Sequence, residues 1–271
     1  MKRTLKDART LLTGASSGIG RALAVELAKA GARLVVTARR AERLNALAEE
    51  IRRDCGTEIH VVPGDITTPQ TREELIQKVL DEFHGLEVLV NNAGAGATEL
   101  VEAVPEQTAR NLFELNYFAP LLLTQKAVPL LRKAAWTPER WDRKIRPIVV
   151  NIGSIVGLRG TPHYGVYGSA KAALICLADA LRAENASDGI DFLTVSPGTT
   201  SSEFFDVLLE NQSMPKFPKH GKATPEHVAR KIVQAMKKGK HRIIPHGGSR
   251  ILDRLHRFVP GTTDGIMASF K

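Results

Sequence analysis

Seven short apolar runs, separated by helix-length stretches, constrain this 271-residue chain more than any other feature. The runs are Thr10–Thr13, Arg33–Ala38, Ile59–Val62, Leu86–Val90, Ile148–Ile152, Phe192–Val195 and His241–Ile244. Between them, apolar residues recur at helical spacing over Ile19–Ala30, Ala41–Asp54, Glu73–Phe83, Thr108–Arg132, Tyr167–Ala186 and Glu226–Lys238. Pro120 and Pro129 are expected to bend or interrupt the fourth of these. Strand and helix alternating at this interval predict an α/β fold with one doubly wound, mostly parallel, seven-stranded sheet. No linker divides the pattern and no repeat underlies it, so one domain is expected. That domain is read as residues 1–248, with a substrate loop at 198–225 and a basic extension at 249–271.

Composition narrows the classes. Apolar residues make up 43% and charged residues 25%, the balance of an ordinary globular protein. No apolar run reaches the ~18 residues that span a bilayer. The basic start, Met1–Arg9, runs almost directly into a glycine motif. That leaves no room for a signal peptide, and a cytoplasmic protein is the expectation. Cys55 and Cys176 match no metal or redox spacing, and the eight histidines form no ligand cluster, so no metal centre is expected. Cys176 lies in the apolar run Ala172–Ala180 and is read as a buried thiol. The net charge is +9, yet aromatics are only 5% and no basic recognition helix is visible, which argues against nucleic acid.

The first run turns into Thr13-Gly14-Ala15-Ser16-Ser17-Gly18-Ile19-Gly20 and then a helix. Glycines at such a corner let the backbone approach a pyrophosphate, and the helix N-terminus offers free N–H groups to it. After the second run stand Arg39 and Arg40, with no acid at 37–40. A carboxylate there would accept from the ribose 2′-OH of NAD; arginine suits the 2′-phosphate of NADP. Tyr167 and Lys171 sit at i and i+4, on one helix face. An ammonium near a phenol favours tyrosinate, so Lys171 is expected to lower the Tyr167 pKa. Ser154 closes the fifth strand, within reach of the same sheet edge.

Together these motifs resemble the short-chain dehydrogenase/reductase family. The resemblance rests on TGASSGIG at 13–20, Asp65, NNAG at 91–94, Asn116, Ser154, YGSAK at 167–171 and Pro197-Gly198. It covers roughly Leu5–Pro245 and implies a Rossmann-like fold and a hydride-transferring oxidoreductase. It implies that Gly14, Ser16, Ser17, Gly18, Ile19 and Gly20 hold the pyrophosphate and the adjacent ribose. Asp65, beside Ile66, would bond the adenine amino group, and Asn92, Ala93 and Gly94 would line the adenosine ribose. Ser154 would hold the substrate oxygen, and Tyr167 would donate or accept the proton. Lys171 would bind the nicotinamide ribose, and Asn116 would anchor a water beside it. Pro197, Gly198, Thr200 and Ser202 would face the carboxamide. The expected cofactor is NADP(H), preferred over NAD(H), with Arg39 first and Arg40 second as phosphate partners. The resemblance also implies a homodimer or tetramer.

On the substrate side, Phe204, Phe205, Leu208, Leu209, Met214 and Phe217 promise an apolar wall, joined by Ala95, Gly96, Val156, Leu158, His163 and Tyr164. A small hydrophobic carbonyl or alcohol is expected. Lys216, Lys219 and Lys222 are read as a solvated run on the same loop. The final strand reads His-Arg-Ile-Ile-Pro rather than the family's usual Gly-Gly ending, and a long basic tail follows. Ile251, Leu252, Leu255 and Phe258 recur there at helical spacing. Packing on the domain or a partner is the first reading of that tail, and recruitment to a membrane surface the second. A non-catalytic NADP sensor is the remaining alternative.

Overall fold

The computed structural model describes residues 3–136, 145–201 and 223–268. Its strands are β1 (Arg9–Thr13), β2 (Arg33–Ala38), β3 (Ile59–Pro63), β4 (Val88–Asn91), β5 (Ile148–Ile152), β6 (Asp191–Val195) and β7 (Arg242–Ile243). They form one sheet in the order β3-β2-β1-β4-β5-β6-β7, and every pairing is parallel. The helices are α1 (Gly18–Lys29), α2 (Ala41–Cys55), α3 (Pro69–Phe83), α4 (Glu106–Phe113), α5 (Ala119–Ala135), α6 (Gly165–Glu184), α7 (Pro225–Lys237), α8 (Gly247–Phe258) and α9 (Pro260–Ala268). None is long and apolar enough to cross a membrane, among the described residues.

Side chains alternate across a strand, so each apolar run feeds two cores. Leu12, Leu34, Val36, Val90 and Val150 face α1, α2 and α7. Leu11, Val35, Leu89 and Val149 face α3 and α5 on the other side. Both faces are covered, which is why the strands read as continuous apolar runs rather than alternating ones. The chain winds outward from β1 to β3, then returns to start β4 on the other side of β1. That reversal parts the connections above β1 and β4 and opens a crevice at their carboxyl ends.

Three sequence expectations shift. The helix predicted over Thr108–Arg132 is α4 and α5 joined by one π-helical turn, Glu114–Phe118. Pro120 is absorbed in the first turn of α5, and Pro129 lies inside that helix without ending it. Cys176 is exposed, not buried. It shares the outer face of α6 with the exposed Ser169, Ala180 and Ala183, while the inner face buries Tyr167, Lys171, Leu174 and Ala178. An apolar run of that length serves both faces of a helix, so composition alone did not separate them. Finally, α3 begins four residues before the predicted start, at Pro69, where the Thr68 hydroxyl accepts from Thr71 N at 3.3 Å.

The tail folds into α8 and α9. Thr263 and Met267 are buried and Asp264 forms an ion pair with Arg159, while Ile251, Leu255 and Phe258 are exposed. Ser202, the apolar residues Phe204 to Phe217, and Lys216, Lys219 and Lys222 lie outside the described residues, as does 137–144 between α5 and β5.

Candidate active site

The carboxyl ends of β1, β2, β4, β5 and β6 converge on a cleft of about 720 Å³. Its floor is fastened by Thr13, the last residue of β1. The Thr13 hydroxyl accepts from Asn92 N and Ala93 N, both at 3.0 Å, and donates to Val90 O. Asn92 Nδ2 returns the tie, donating to Thr13 O at 2.9 Å and Gly14 O at 3.0 Å. These bonds lock the turn after β1 to the turn after β4. Gly14 has φ +70°, and a Cβ there would stand 2.8 Å from Ala93 Cα, so only glycine fits.

Ser16, Ser17, Gly18, Ile19 and Gly20 line one side of the cleft. The N-terminus of α1 receives no side-chain cap from Ser17 and has no acid in its first turn. Its leading N–H groups therefore present an anion site that no carboxylate of its own first turn fills. The Ser17 hydroxyl instead accepts from Arg40 Nη2 at 2.8 Å, and the Ser16 hydroxyl accepts from the same nitrogen at 3.1 Å. Arg40 thus lies half-buried across the corner, while its neighbour Arg39 is exposed at the rim. Asp65, Ile66, Asn92, Ala93 and Gly94 border the same cleft further along. One carboxylate oxygen of Asp65 accepts from Thr67 N and Thr67 Oγ1, which sets the turn after β3. An uncapped helix start with two arginines beside it fits the phosphates of a dinucleotide.

Ser154, Tyr167 and Lys171 meet in the middle of the cleft. Ser154 ends the extended segment after β5, where its hydroxyl accepts from Val156 N at 3.4 Å. Tyr167 lies one turn into α6, packed edge-on to Tyr164 with ring centroids 6.5 Å apart. Burial raises the Tyr167 phenol pKa, and its hydrogen bond with Ser154 only partly opposes that. The expectation that Lys171 lowers the phenol pKa is therefore corrected. Lys171 Nζ lies 5.9 Å from the Tyr167 ring centre and spends a hydrogen bond on Ile152 O at 2.9 Å. Burial outweighs that distant charge, and it also lowers the Lys171 pKa to about 8. Tyr164, likewise desolvated, is pushed up to about 12.

Asn116 stands behind this set, in the π turn and fully buried. Its Nδ2 donates to Ala95 O and Leu112 O, both at 2.9 Å. Its Oδ1 has no hydrogen-bond partner among the described residues. That oxygen and Lys171 Nζ close over Gly94, where a Cβ would stand 2.8 Å from one and 3.2 Å from the other. A buried acceptor beside a buried ammonium, over a residue without a side chain, is a place for a bound water or a ligand hydroxyl.

Pro197, Gly198 and Thr200 line the near wall, with Thr200 paired to Ala223 in an isolated bridge. Val156 and Tyr164 line it as well, whereas Leu158 faces a separate groove beside Arg159 and His256. Ile152, Ser249 and Met267 are among the contributors that the sequence did not point to. Ile152 supplies a backbone carbonyl to Lys171, and Ser249 and Met267 reach the cleft from α8 and α9. The tail's apolar spacing was a signal for those last two, but it pointed to the wrong residues. A cluster of Glu58, His60 and Glu82 also lies at the surface, where Arg33 and Lys78 already pair with the carboxylates.

The profile of the family described as short chain dehydrogenase matches residues 8–213. A farnesol dehydrogenase of Aedes aegypti is 30% identical over 231 residues, covering 80% of this chain and 91% of the relative. A short-chain dehydrogenase of Sphingobium yanoikuyae in complex with NADPH is 26% identical with a TM-score of 0.76, covering 97% of this chain and 96% of the other. A member from Burkholderia phymatum in complex with NAD has a TM-score of 0.82 at 22% identity, covering 94% of each chain, and shows the fold alone. The match spans the glycine corner, the serine after β5 and the Tyr–Lys pair of α6, and on that footing the chain belongs to the short-chain dehydrogenases, as an oxidoreductase of their NAD(P)-binding type.

Proposed function

We propose that this oxidoreductase prefers NADP(H) and interconverts a carbonyl and a secondary alcohol on a small hydrophobic molecule. The observation that carries the reading is the placement of Tyr167, Ser154 and Lys171 in one cleft with the uncapped start of α1. Gly14, Ser16 to Gly20, Asp65 and Asn92 to Gly94 would hold the dinucleotide. Arg40, reaching over Ser16 and Ser17, would take the 2′-phosphate, with Arg39 beside it at the rim. When bound, the nicotinamide supplies or accepts the hydride.

This chain's own residues handle the proton and the orientation. Ser154 Oγ holds the substrate oxygen. Tyr167 keeps its proton well above neutrality, so as a donor it is loaded at working pH, and it releases that proton as negative charge grows on the oxygen. Lys171, with a pKa near 8, is mostly charged at neutral pH and stabilises the resulting phenolate. Thr200, and Ser202 two positions on in the sequence, are assigned to the carboxamide. Val156, Tyr164 and Met267 give the substrate end an apolar lining, which supports a hydrophobic substrate. The farnesol dehydrogenase relative supports the hydrophobic character of the substrate, and the NADPH-bound neighbour supports the cofactor.

Tyr167→Phe tests the assignment. With a screened carbonyl substrate, turnover should fall by about 10²–10⁴-fold while NADPH affinity stays within twofold, roughly the span of a lost proton donor. A variant that keeps most of its turnover would remove Tyr167 from the proton's path.

A further inference from the structure

The two faces of α8 have opposite chemistry. Inward, Ser249 lies so close to Gly198 that a Cβ there would stand 2.2 Å from its hydroxyl. Outward, Ile251, Leu255 and Phe258 are 62%, 38% and 82% exposed, and Val259 extends the strip at 44%. At about 100° per residue, the first three fall within roughly 60° of arc. Arg254 lies directly beside Phe258 on that arc, with Arg257 and Arg250 next round. Arg257 pairs with Asp253, while Arg250 and Arg254 have no ion-pair partner among the described residues.

Among the described residues nothing covers this strip, because α8 docks through its other side. Whatever covers it must be apolar at its centre and anionic along one border. A second copy packed antiparallel on the strip about a twofold axis would bring the same three arginines face to face. An anionic bilayer offers acyl chains and phosphates at the right relative depth.

We propose that α8 seats the protein on an anionic membrane surface. Phe258, Ile251 and Leu255 enter the boundary between headgroups and acyl chains, and Arg250, Arg254 and Arg257 lie on the phosphates. Ser249 of α8 and Met267 of α9 also line the cleft, so this seating places α8 between the bilayer and the cleft. The proposal does not depend on which cofactor binds or whether hydride transfer occurs.

The test is co-sedimentation of the full chain with vesicles of phosphatidylcholine alone and of phosphatidylcholine mixed with phosphatidylglycerol. Two variants run in parallel: Ile251→Asp with Phe258→Asp, and the triple Arg250→Gln, Arg254→Gln, Arg257→Gln. All changed side chains are solvent-facing, and circular dichroism confirms that each variant is folded. The expected result is binding to the anionic vesicles that weakens with salt and drops by about tenfold or more in both variants. No pelleting of the full chain, or equal pelleting of the variants, overturns the proposal. If the full chain stays in solution and the aspartate variant alone loses mass in sedimentation equilibrium, the strip is closed by a second copy and the membrane reading fails.

Discussion

Lys171 shows how burial decides a residue's chemistry. The spacing of Tyr167 and Lys171 was plain in the sequence, but the sign of the phenol's shift was not, because depth below the surface has no local signature. Lys171 is only 4% exposed and its pKa is lowered to about 8. An unfolded lysine holds its proton to about pH 10.4. Between those values the unfolded chain binds a proton that the native chain has released, so stability rises with pH, by up to ~1.4 kcal/mol per unit. Below about pH 8 both states are protonated, and the native state bears the cost of the buried charge. Tyr167 acts in the other direction: its raised pKa makes the native state hold a proton above pH 10, so stability falls there. Urea melts of the protein without nucleotide should therefore show stability climbing from pH 8 to 9.5. In Lys171→Met that climb should be absent; a climb of equal slope in the variant would remove Lys171 as its source.

At the scale of elements, the corner between β2 and α2 sets the cofactor's end. Both arginines were visible in the sequence, and Arg39, the first past the strand, looked the better placed. The structure turns Arg39 outward and folds Arg40 over the Ser16 and Ser17 hydroxyls, because α2 starts at Ala41 and its last flanking residue points back toward α1. A charge-assisted bond contributes about 1.5–3 kcal/mol. Arg40→Ala should thus raise the Kd for NADPH by about 10- to 100-fold and leave that for NADH within twofold, with Arg39→Ala having the smaller effect. Parallel fluorescence titrations check it. Equal weakening of both nucleotides would assign Arg40 to the corner's shape rather than to the phosphate. The π turn at Glu114–Phe118 illustrates the other limit of sequence reading. One extra residue shifts the apolar phase by a single position, about 100°, which local spacing does not mark as a π turn, so the prolines drew the expected interruption instead. Asn116 was found by resemblance, while the turn that aims it was not.

Across the whole molecule, the sheet divides stability from chemistry between its two edges. The carboxyl ends of the strands make the cleft, and the amino ends are clamped by buried ion pairs. Arg9 begins β1, and Glu87 precedes β4 and is fully buried. The Glu87 carboxylate accepts from Arg9 N at 2.8 Å and from Arg9 Nε at 2.9 Å, and Arg9 Nη1 donates to Phe83 O at 3.0 Å. Arg3 likewise pairs with Asp191 at the start of β6 and donates to Arg146 O and Met236 O. Partners 78 and 188 positions apart leave no trace in local pattern, which is why the clamp was invisible in a sequence whose strands were not. Arg9→Met takes the guanidinium away from a buried carboxylate and should cost about 3–5 kcal/mol of stability. Arg9→Met combined with Glu87→Leu removes both charges and should recover most of that loss. The cleft lies a strand's length away, about 16 Å for five residues. Both variants should therefore bind NADPH as the parent does at a temperature where they are folded. A nucleotide affinity that falls in step with the melting temperature would show that the two edges are coupled.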